Sequence, residues 1–160
     1  MRVAKGERLG TDLEGEFRRF VAENEPGLRR ALVAAYGSER GREATAEALA
    51  YAWENWDRVS GMANPLGYLY RVGQSRGRPH RGRPVFERPP EDEIWVEPGL
   101  PAAVAALPER QRVALLLVYC EEWTQAEAAV LLNVSKGTVQ RHVERGLRKL
   151  RAAMGVTRDA

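Results

Sequence analysis

Apolar residues recur at helical spacing along nearly the whole chain of 160 residues. Steps of three and four residues place side chains on one face of a helix, whereas a strand alternates every second residue. Four such stripes precede residue 77, and they contain Leu13 with Phe17, Leu28 with Leu32, Leu49 with Trp53, and Leu66 with Leu69. Because further stripes of this kind follow residue 99, the spacing predicts an all-α protein.

The helical pattern stops between Gly77 and Pro101. Prolines break helices, and they stand here at positions 79, 84, 89, 90, 98 and 101. Acidic residues dominate after Phe86. We therefore predict two small helical domains joined by a Pro-rich acidic linker. The predicted divisions are an N-terminal tail (1–11), a first domain (12–84), the linker (85–99), a second domain (100–154) and a C-terminal tail (155–160).

Charge is distributed unevenly, although the formal net charge is only +3. Residues 71–83 include five arginines and no acid, and residues 141–151 include five basic residues and one acid, Glu144. Separate basic blocks are typical of surfaces that contact a polyanion. Solvated helix faces would show the same charges, so charge alone leaves both interpretations open.

Several classes of protein lack support in the sequence. Cys120 is the only cysteine, which argues against disulfides and thiolate metal clusters, and its place on an apolar stripe predicts a core residue. Neither histidine, His80 or His142, belongs to a metalloprotease motif, and no phosphate-binding loop is present. No apolar run has membrane-spanning length. We expect a cytoplasmic protein that is not an enzyme and carries no cofactor or metal.

The most informative passage lies near the C-terminus. Thr124 and Glu127 have the spacing of a capping box, which starts a helix. Asn133 suits a left-handed turn, and Ser135 suits the cap of a second helix. The second helix has an apolar stripe that begins with Val139 and an opposite face rich in basic residues. This arrangement predicts a helix-turn-helix whose second helix enters the major groove of DNA.

The polar face of that helix suggests roles for its side chains. Gln140 can pair with adenine, and Arg141 or Lys136 can pair with guanine. Basic residues farther along the helix suit phosphates, which give affinity without sequence choice. The predicted contacts with duplex DNA are Thr124, Lys136, Thr138, Gln140, Arg141, Arg145, Arg148 and Lys149.

The segment from Leu107 to Leu150 strongly resembles region 4 of bacterial RNA polymerase sigma factors. The shared residues are Leu107-Pro-Glu-Arg-Gln-Arg-Val113, Glu127-Ala-Ala129, Leu132 and Val134-Ser-Lys-Gly-Thr-Val139. The sequence is most similar to the small extracytoplasmic-function class of the sigma-70 family, which has only regions 2 and 4. The resemblance implies that the duplex contacts above read a −35 element.

The N-terminal half resembles region 2. Ala46-Glu-Ala-Leu-Ala-Tyr-Ala-Trp53 is similar to the helix that binds the polymerase clamp, and Asn64-Pro-Leu-Gly-Tyr-Leu-Tyr-Arg-Val72 is similar to the helix that opens the −10 element. The resemblance implies polymerase contacts at Glu43, Glu47, Leu49 and Trp53, and −10 contacts at Met62, Asn64, Tyr68, Arg71, Gln74 and Arg76. Where the family commonly has Arg-Asn, this chain has Gln74-Ser75.

The resemblance therefore predicts a promoter-recognition subunit whose partners are core RNA polymerase, promoter DNA and an anti-sigma factor. One alternative is a helix-turn-helix regulator that does not bind polymerase as a sigma factor. A second alternative is a sigma-like protein that cannot open DNA. The resemblance implies that the acidic linker mimics nucleic acid near the polymerase active site. The alternative is that the linker is a solvated tether. Trp53 and Trp56 are predicted to be core residues, as is one of Tyr68 and Tyr70.

Overall fold

The computed structural model describes residues 3–78, 83–86 and 97–156, with side chains from residue 12 onward. Every regular element in these ranges is an α-helix, which confirms the predicted fold class. The helices are α1 (Val3–Tyr36), α2 (Ser38–Glu54), α3 (Trp56–Val59), α4 (Pro65–Gly77), α5 (Leu100–Ala106), α6 (Glu109–Tyr119), α7 (Gln125–Leu132) and α8 (Lys136–Ala153).

Helix α1 is continuous for 34 residues and passes through Pro26. It begins at Val3, so it runs through most of the stretch predicted to be a tail. The two apolar stripes predicted within it lie on the same face of this one helix, because Leu28 follows Phe17 by about three complete turns. Leu28 and Leu32 are both buried.

Helices α1, α2 and α4 pack together around Leu32, Ala48 and Leu69, none of which is measurably exposed. Gly37 links α1 to α2 with a positive φ of 87°, a conformation that glycine adopts at little cost. Ser38 has a side chain that suits a helix cap, but it is the first helical residue, and Gly37 occupies the cap position with no side-chain hydrogen bond. Gly41 then lets α2 approach the backbone of α1 at Val33.

Helices α5 to α8 form the second group. Its core contains Val113 and Leu117 from α6, Leu131 from α7 and Val139 from α8. The prediction that Cys120 belongs to this core is wrong, since Cys120 ends α6 as its exposed C-cap. The apolar stripe of α6 stops one helical turn earlier because the chain turns away into residues 121–123.

The two groups pack directly against each other. Helix α6 lies on α1, and α7 lies on α4. Arg112 of α6 is 4% exposed and donates hydrogen bonds to the backbone oxygens of Ala34 (2.7 Å) and Ala35 (2.5 Å) in α1. Among the described residues, no helix combines the length and the apolar character needed to cross a membrane.

Candidate nucleic-acid interface

The turn between α7 and α8 forms as the sequence predicts. The Thr124 hydroxyl accepts a hydrogen bond from the Glu127 amide at 3.1 Å, and the Glu127 carboxylate accepts one from the Thr124 amide at 2.8 Å. Asn133 takes a left-handed conformation with φ 53° and ends α7. The Ser135 hydroxyl accepts a hydrogen bond from the Thr138 amide at 3.1 Å and so caps α8. Local hydrogen bonds thus fix the direction of α8 relative to α7.

Helix α8 is held by a narrow buried stripe. Val139, Val143 and Gly146 are its buried residues. A Cβ added at Gly146 would lie 3.2 Å from the Leu115 side chain and 3.5 Å from the Gln111 carbonyl oxygen, so glycine permits close packing on α6. The opposite face of α8 is consequently turned to solvent.

The residues predicted to contact duplex DNA lie on α8, except for Thr124, which caps α7. Thr138 is half-buried, and the others are exposed: Thr124, Lys136, Gln140, Arg141, Arg145, Arg148 and Lys149. Arg141 donates a hydrogen bond to the Thr138 hydroxyl at 3.2 Å, and Gln140 donates one to Glu144 at 3.1 Å. These hydrogen bonds orient the donor side chains on the first turns of the helix. The arginines farther along the helix form a positively charged surface.

His142 lies on the side of α8 that faces α4. Burial lowers the pKa of its imidazole, and the neighbouring cations Arg110, Arg145 and Arg141 lower that pKa further. Its Nδ1 atom is buried and has no hydrogen-bond partner. Both effects disfavour the positively charged form of His142 in the folded chain.

The start of α4 is also fixed by a side-chain cap. The Asn64 side-chain oxygen accepts a hydrogen bond from the Gly67 amide at 2.9 Å, and Pro65 occupies the first turn. A Cβ at Gly67 would meet the Asn64 side chain at 2.4 Å, so this close cap requires glycine. The Asn64 amide nitrogen is thereby directed away from α4.

The two tyrosines of α4 have different surroundings. Tyr70 is 3% exposed and is a core residue, as predicted for one of the pair. Burial is the main cause of its raised pKa, with a smaller contribution from Glu109. Tyr68 is half-buried, and its hydroxyl lies 3.0 Å from that of Tyr51.

Arg58 joins this tyrosine pair and was not among the predicted site residues. Its guanidinium lies 5.9 Å from the centre of the Tyr51 ring and 6.0 Å from that of Tyr68, and it hydrogen-bonds to both hydroxyls. Tyr51 in α2 and Arg58 in α3 are seven residues apart in the sequence, a distance of about two helical turns. This spacing is the one signal in the sequence that could have linked them. Together they form an aromatic and basic surface beside α4.

Some of the remaining residues predicted to contact the −10 element are exposed to solvent, and Gln74 contacts the second helix group. Arg71 and Arg76 are exposed, and Met62 is half-buried. Gln74 donates a hydrogen bond to the Glu109 carboxylate of α6 at 3.1 Å. A cleft of about 490 Å³ lies between α4 and the α7–α8 turn, and its basic lining residues are Arg71, Arg78, Arg110 and His142.

The residues predicted to contact polymerase lie on an open side of α2. Glu43 and Glu47 are exposed, and Leu49 is half-buried. The prediction that Trp53 is a core residue is wrong: Trp53 is 52% exposed, and its ring contacts that of Phe17 at a centroid distance of 5.1 Å. Trp56 is 7% exposed, as predicted, because the turn at Asn55 rotates it inward against Phe17 and Phe20.

Two predicted features fall outside the described residues. The acids of the linker between Glu87 and Val96 are among them, and so are His80 and Arg81. The predicted roles of these residues therefore stay predictions.

Comparisons with known proteins agree with this geometry. Residues 99–150 match the family model described as sigma-70, region 4, which spans α5 to most of α8. The chain is also similar in structure to the sigma factor RpoE from Bartonella quintana, solved in complex with the anti-sigma factor NepR. The two chains are 19% identical with a TM-score of 0.62, over 89% of this chain and 99% of that chain, and so share a fold. No curated protein matches the sequence significantly.

Proposed function

We infer that this chain, which belongs to the sigma-70 family of sigma factors, is a promoter-recognition subunit that binds core RNA polymerase and starts transcription. The observation that carries the proposal is the sigma-70 region 4 match over a helix-turn-helix whose basic face is open to solvent. Such a face can enter the major groove without rearrangement of its own domain.

The −35 element would be read by the first turns of α8. Gln140 and Arg141 are exposed there, one turn beyond the Ser135 cap, and both carry the donors that recognise purine edges. Arg145 and Arg148 lie farther along and suit the phosphate backbone.

The polymerase would bind the open side of α2. Trp53 exposes half of a large aromatic side chain, and Glu43 and Glu47 lie within three turns of it along the same helix. Exposed tryptophan is costly in water and is enriched where partners bind. We therefore propose that Trp53 anchors the clamp contact, with Leu49 and the two carboxylates around it.

The −10 element would be opened on α4 and the loop before it. Tyr68, Tyr51 and Arg58 provide stacking and positive charge, which suit unstacked bases and single-strand phosphates. Met62 and Asn64 would contact a base flipped from the duplex, and Arg71, Gln74 and Arg76 would hold the strand. The structurally similar RpoE was solved with an anti-sigma factor, and we propose that this chain acts in the cytoplasm and has such a partner as well.

Transcription in vitro with core polymerase and genomic DNA tests the proposal. We expect the chain to associate with core polymerase and to direct initiation from specific sites. Trp53→Ala should weaken that association, since it removes the proposed anchor, whereas Tyr119→Ala should not, since Tyr119 is an exposed aromatic residue on α6. A chain that bound its site as a symmetric dimer without polymerase would instead be a simple regulator.

Base recognition by α8 has its own test. Arg141→Ala should weaken binding to the selected −35 duplex by about 1–3 kcal/mol and relax base preference at one position. Arg148→Ala should weaken all sequences alike and reduce the salt dependence of binding. Loss of affinity by Arg141→Ala that is equal for every sequence would show that Arg141 contacts phosphate only.

A further inference from the structure

A polar stripe runs along one face of α4 and its C-cap. Arg71, Gln74, Ser75 and Arg78 are spaced by three, one and three residues, which places them on the same side of a helix. All four line the cleft of about 490 Å³ beside the α7–α8 turn. This wall of the cleft thus has an arginine at each end, about 10 Å apart along the helix axis.

Two further basic residues reach the cleft from the second helix group. Arg110 comes from α6, and His142 comes from α8. Arg71, Arg78 and Arg110 are exposed, and none of the three forms an ion pair with a described residue. No acidic residue stands among the described residues that line the cleft.

The fold therefore gathers like charges around an open space. The pKa of His142 is lowered by burial, and then by Arg110 and two arginines of α8. The Glu109 carboxylate of α6 does not line the cleft, and it already accepts a hydrogen bond from Gln74 at 3.1 Å. A cleft lined by charges of one sign concentrates ions of the opposite sign. The lining thus favours an anionic ligand.

The side chains and the size of the cleft narrow the class of ligand. The planar guanidinium donates in pairs to phosphate oxygens, which makes arginine a preferred phosphate contact. The volume lies within the range of small-molecule sites, and a single phosphate ion would leave most of it empty. The wall at the α7–α8 turn is different, with apolar Leu132 and Val134 beside the amide of Asn133. Such a wall suits a heterocyclic ring.

We propose that this cleft binds a small molecule that combines a nucleoside with two or more phosphate groups. The phosphates bind Arg71, Arg78 and Arg110, and the base lies against Leu132 and Val134. The proposal goes beyond the proposed function and does not depend on it. Since Arg71 is also a proposed −10 contact, a bound nucleotide would compete with the DNA strand for this side chain.

Binding of ATP and of inorganic pyrophosphate to the full-length chain provides the test, measured by isothermal titration calorimetry. Arg78→Gln and Arg110→Gln each remove one charge from the cleft, and both residues are exposed and lie outside the proposed promoter contacts. Arg19→Gln removes the same charge from an exposed position of α1. That position is about 25 Å along α1 from Tyr36, which packs on α4 at Gly77.

We expect wild type and Arg19→Gln to bind each probe equally well, and ATP to bind more tightly than pyrophosphate. Arg78→Gln and Arg110→Gln should each weaken both probes by about tenfold, because each removes a charge-assisted contact to phosphate. Adenosine, which has no phosphate, should bind far more weakly than ATP. The proposal is overturned if wild type binds neither probe, if Arg19→Gln loses as much affinity as the cleft variants, or if adenosine binds as well as ATP.

The phosphodiesters of DNA share part of this chemistry, so a labelled single-stranded oligonucleotide of mixed sequence is titrated against the same chains. Cleft variants that bind the oligonucleotide less well but keep their affinity for ATP and pyrophosphate would show a DNA contact instead of a nucleotide site. Loss of ATP binding in both cleft variants supports the nucleotide site, whatever the oligonucleotide does.

The His142 imidazole reports where the ligand lies. Its ring-proton resonances, identified by comparison with His142→Gln, give its pKa by nuclear magnetic resonance with and without pyrophosphate. We expect pyrophosphate to raise this pKa, because an anion beside Arg110 offsets the cations that disfavour the imidazolium. An unchanged pKa at saturating pyrophosphate would place the anion elsewhere on the chain and contradict the proposal.

Discussion

At the residue scale, His142 shows how surroundings alter a side chain that the sequence places on a DNA-facing helix. It projects toward the cleft beside Arg110 of α6, while Arg71 of α4 and Arg78, the C-cap of α4, line the same cleft. Burial and then the cations Arg110, Arg145 and Arg141 depress its pKa below the usual 6.5. A proton at the buried Nδ1 would find no acceptor there. The folded chain therefore disfavours the imidazolium.

This depression predicts a pH dependence of stability. As the pH falls through about 6.5, the unfolded chain takes up the proton on His142 before the folded chain does, so the free energy of unfolding decreases. Urea denaturation at about pH 7 and about pH 5.5 should show that His142→Gln loses less stability than wild type over this interval. Parallel losses in the two chains would mean that the imidazole titrates alike in both states.

At the element scale, the Ser135 hydroxyl caps the first turn of α8, the proposed recognition helix. Ser135 accepts the hydrogen bond of the Thr138 amide, and its Oγ lies 2.8 Å from the Thr138 hydroxyl. The Thr138 hydroxyl in turn accepts from Arg141. The cap thus orders the turn that carries the proposed base contacts.

Removal of this cap should have a measurable cost. Ser135→Ala leaves an amide of the first turn without its partner and should lower the free energy of unfolding by about 1 kcal/mol. Ser135→Asp keeps an acceptor at the cap and serves as the control in chemical denaturation. A loss of the same size in both variants would show that the hydroxyl is needed for something other than capping.

At the scale of the whole molecule, Arg112 joins the two helix groups. Its guanidinium donates to Ala34 and Ala35 at the end of α1 and to Leu107 at 2.6 Å before α6, with a longer contact of 3.4 Å to Ala105. Carbonyls at the end of a helix lack partners within that helix and attract a cation. Burial is the main cause of the lowered pKa of Arg112.

We expect Arg112→Met to lower the free energy of unfolding by about 3 kcal/mol, since methionine fills similar space but leaves buried carbonyl oxygens unpaired. Arg110→Met, two residues earlier and exposed, should change it little. Both values come from urea denaturation followed by far-ultraviolet circular dichroism. A small effect at Arg112 would indicate that water replaces the guanidinium and that the interface is weaker than its hydrogen bonds suggest.

The sequence by itself determined the start and end of α7 and the start of α8. The capping box at Thr124, the left-handed Asn133 and the cap at Ser135 depend on hydrogen bonds between residues a few positions apart, so local sequence specifies them. Apolar spacing determined the all-α class for the same reason. The predicted DNA-facing residues of α8 lie outward because a helix that buries one stripe must expose the other.

Only the tertiary structure decided what lies between the two helix groups. Arg112 and Ala34 are separated by 78 residues, and a basic residue in an apolar stripe gives no sign of which carbonyls it will reach. The exposure of Trp53 and Cys120 likewise depends on where helices end and what packs beside them. Periodicity fixes which side of a helix is apolar, but long-range packing selects the partner, and here it placed α6 against α1 and α7 against α4.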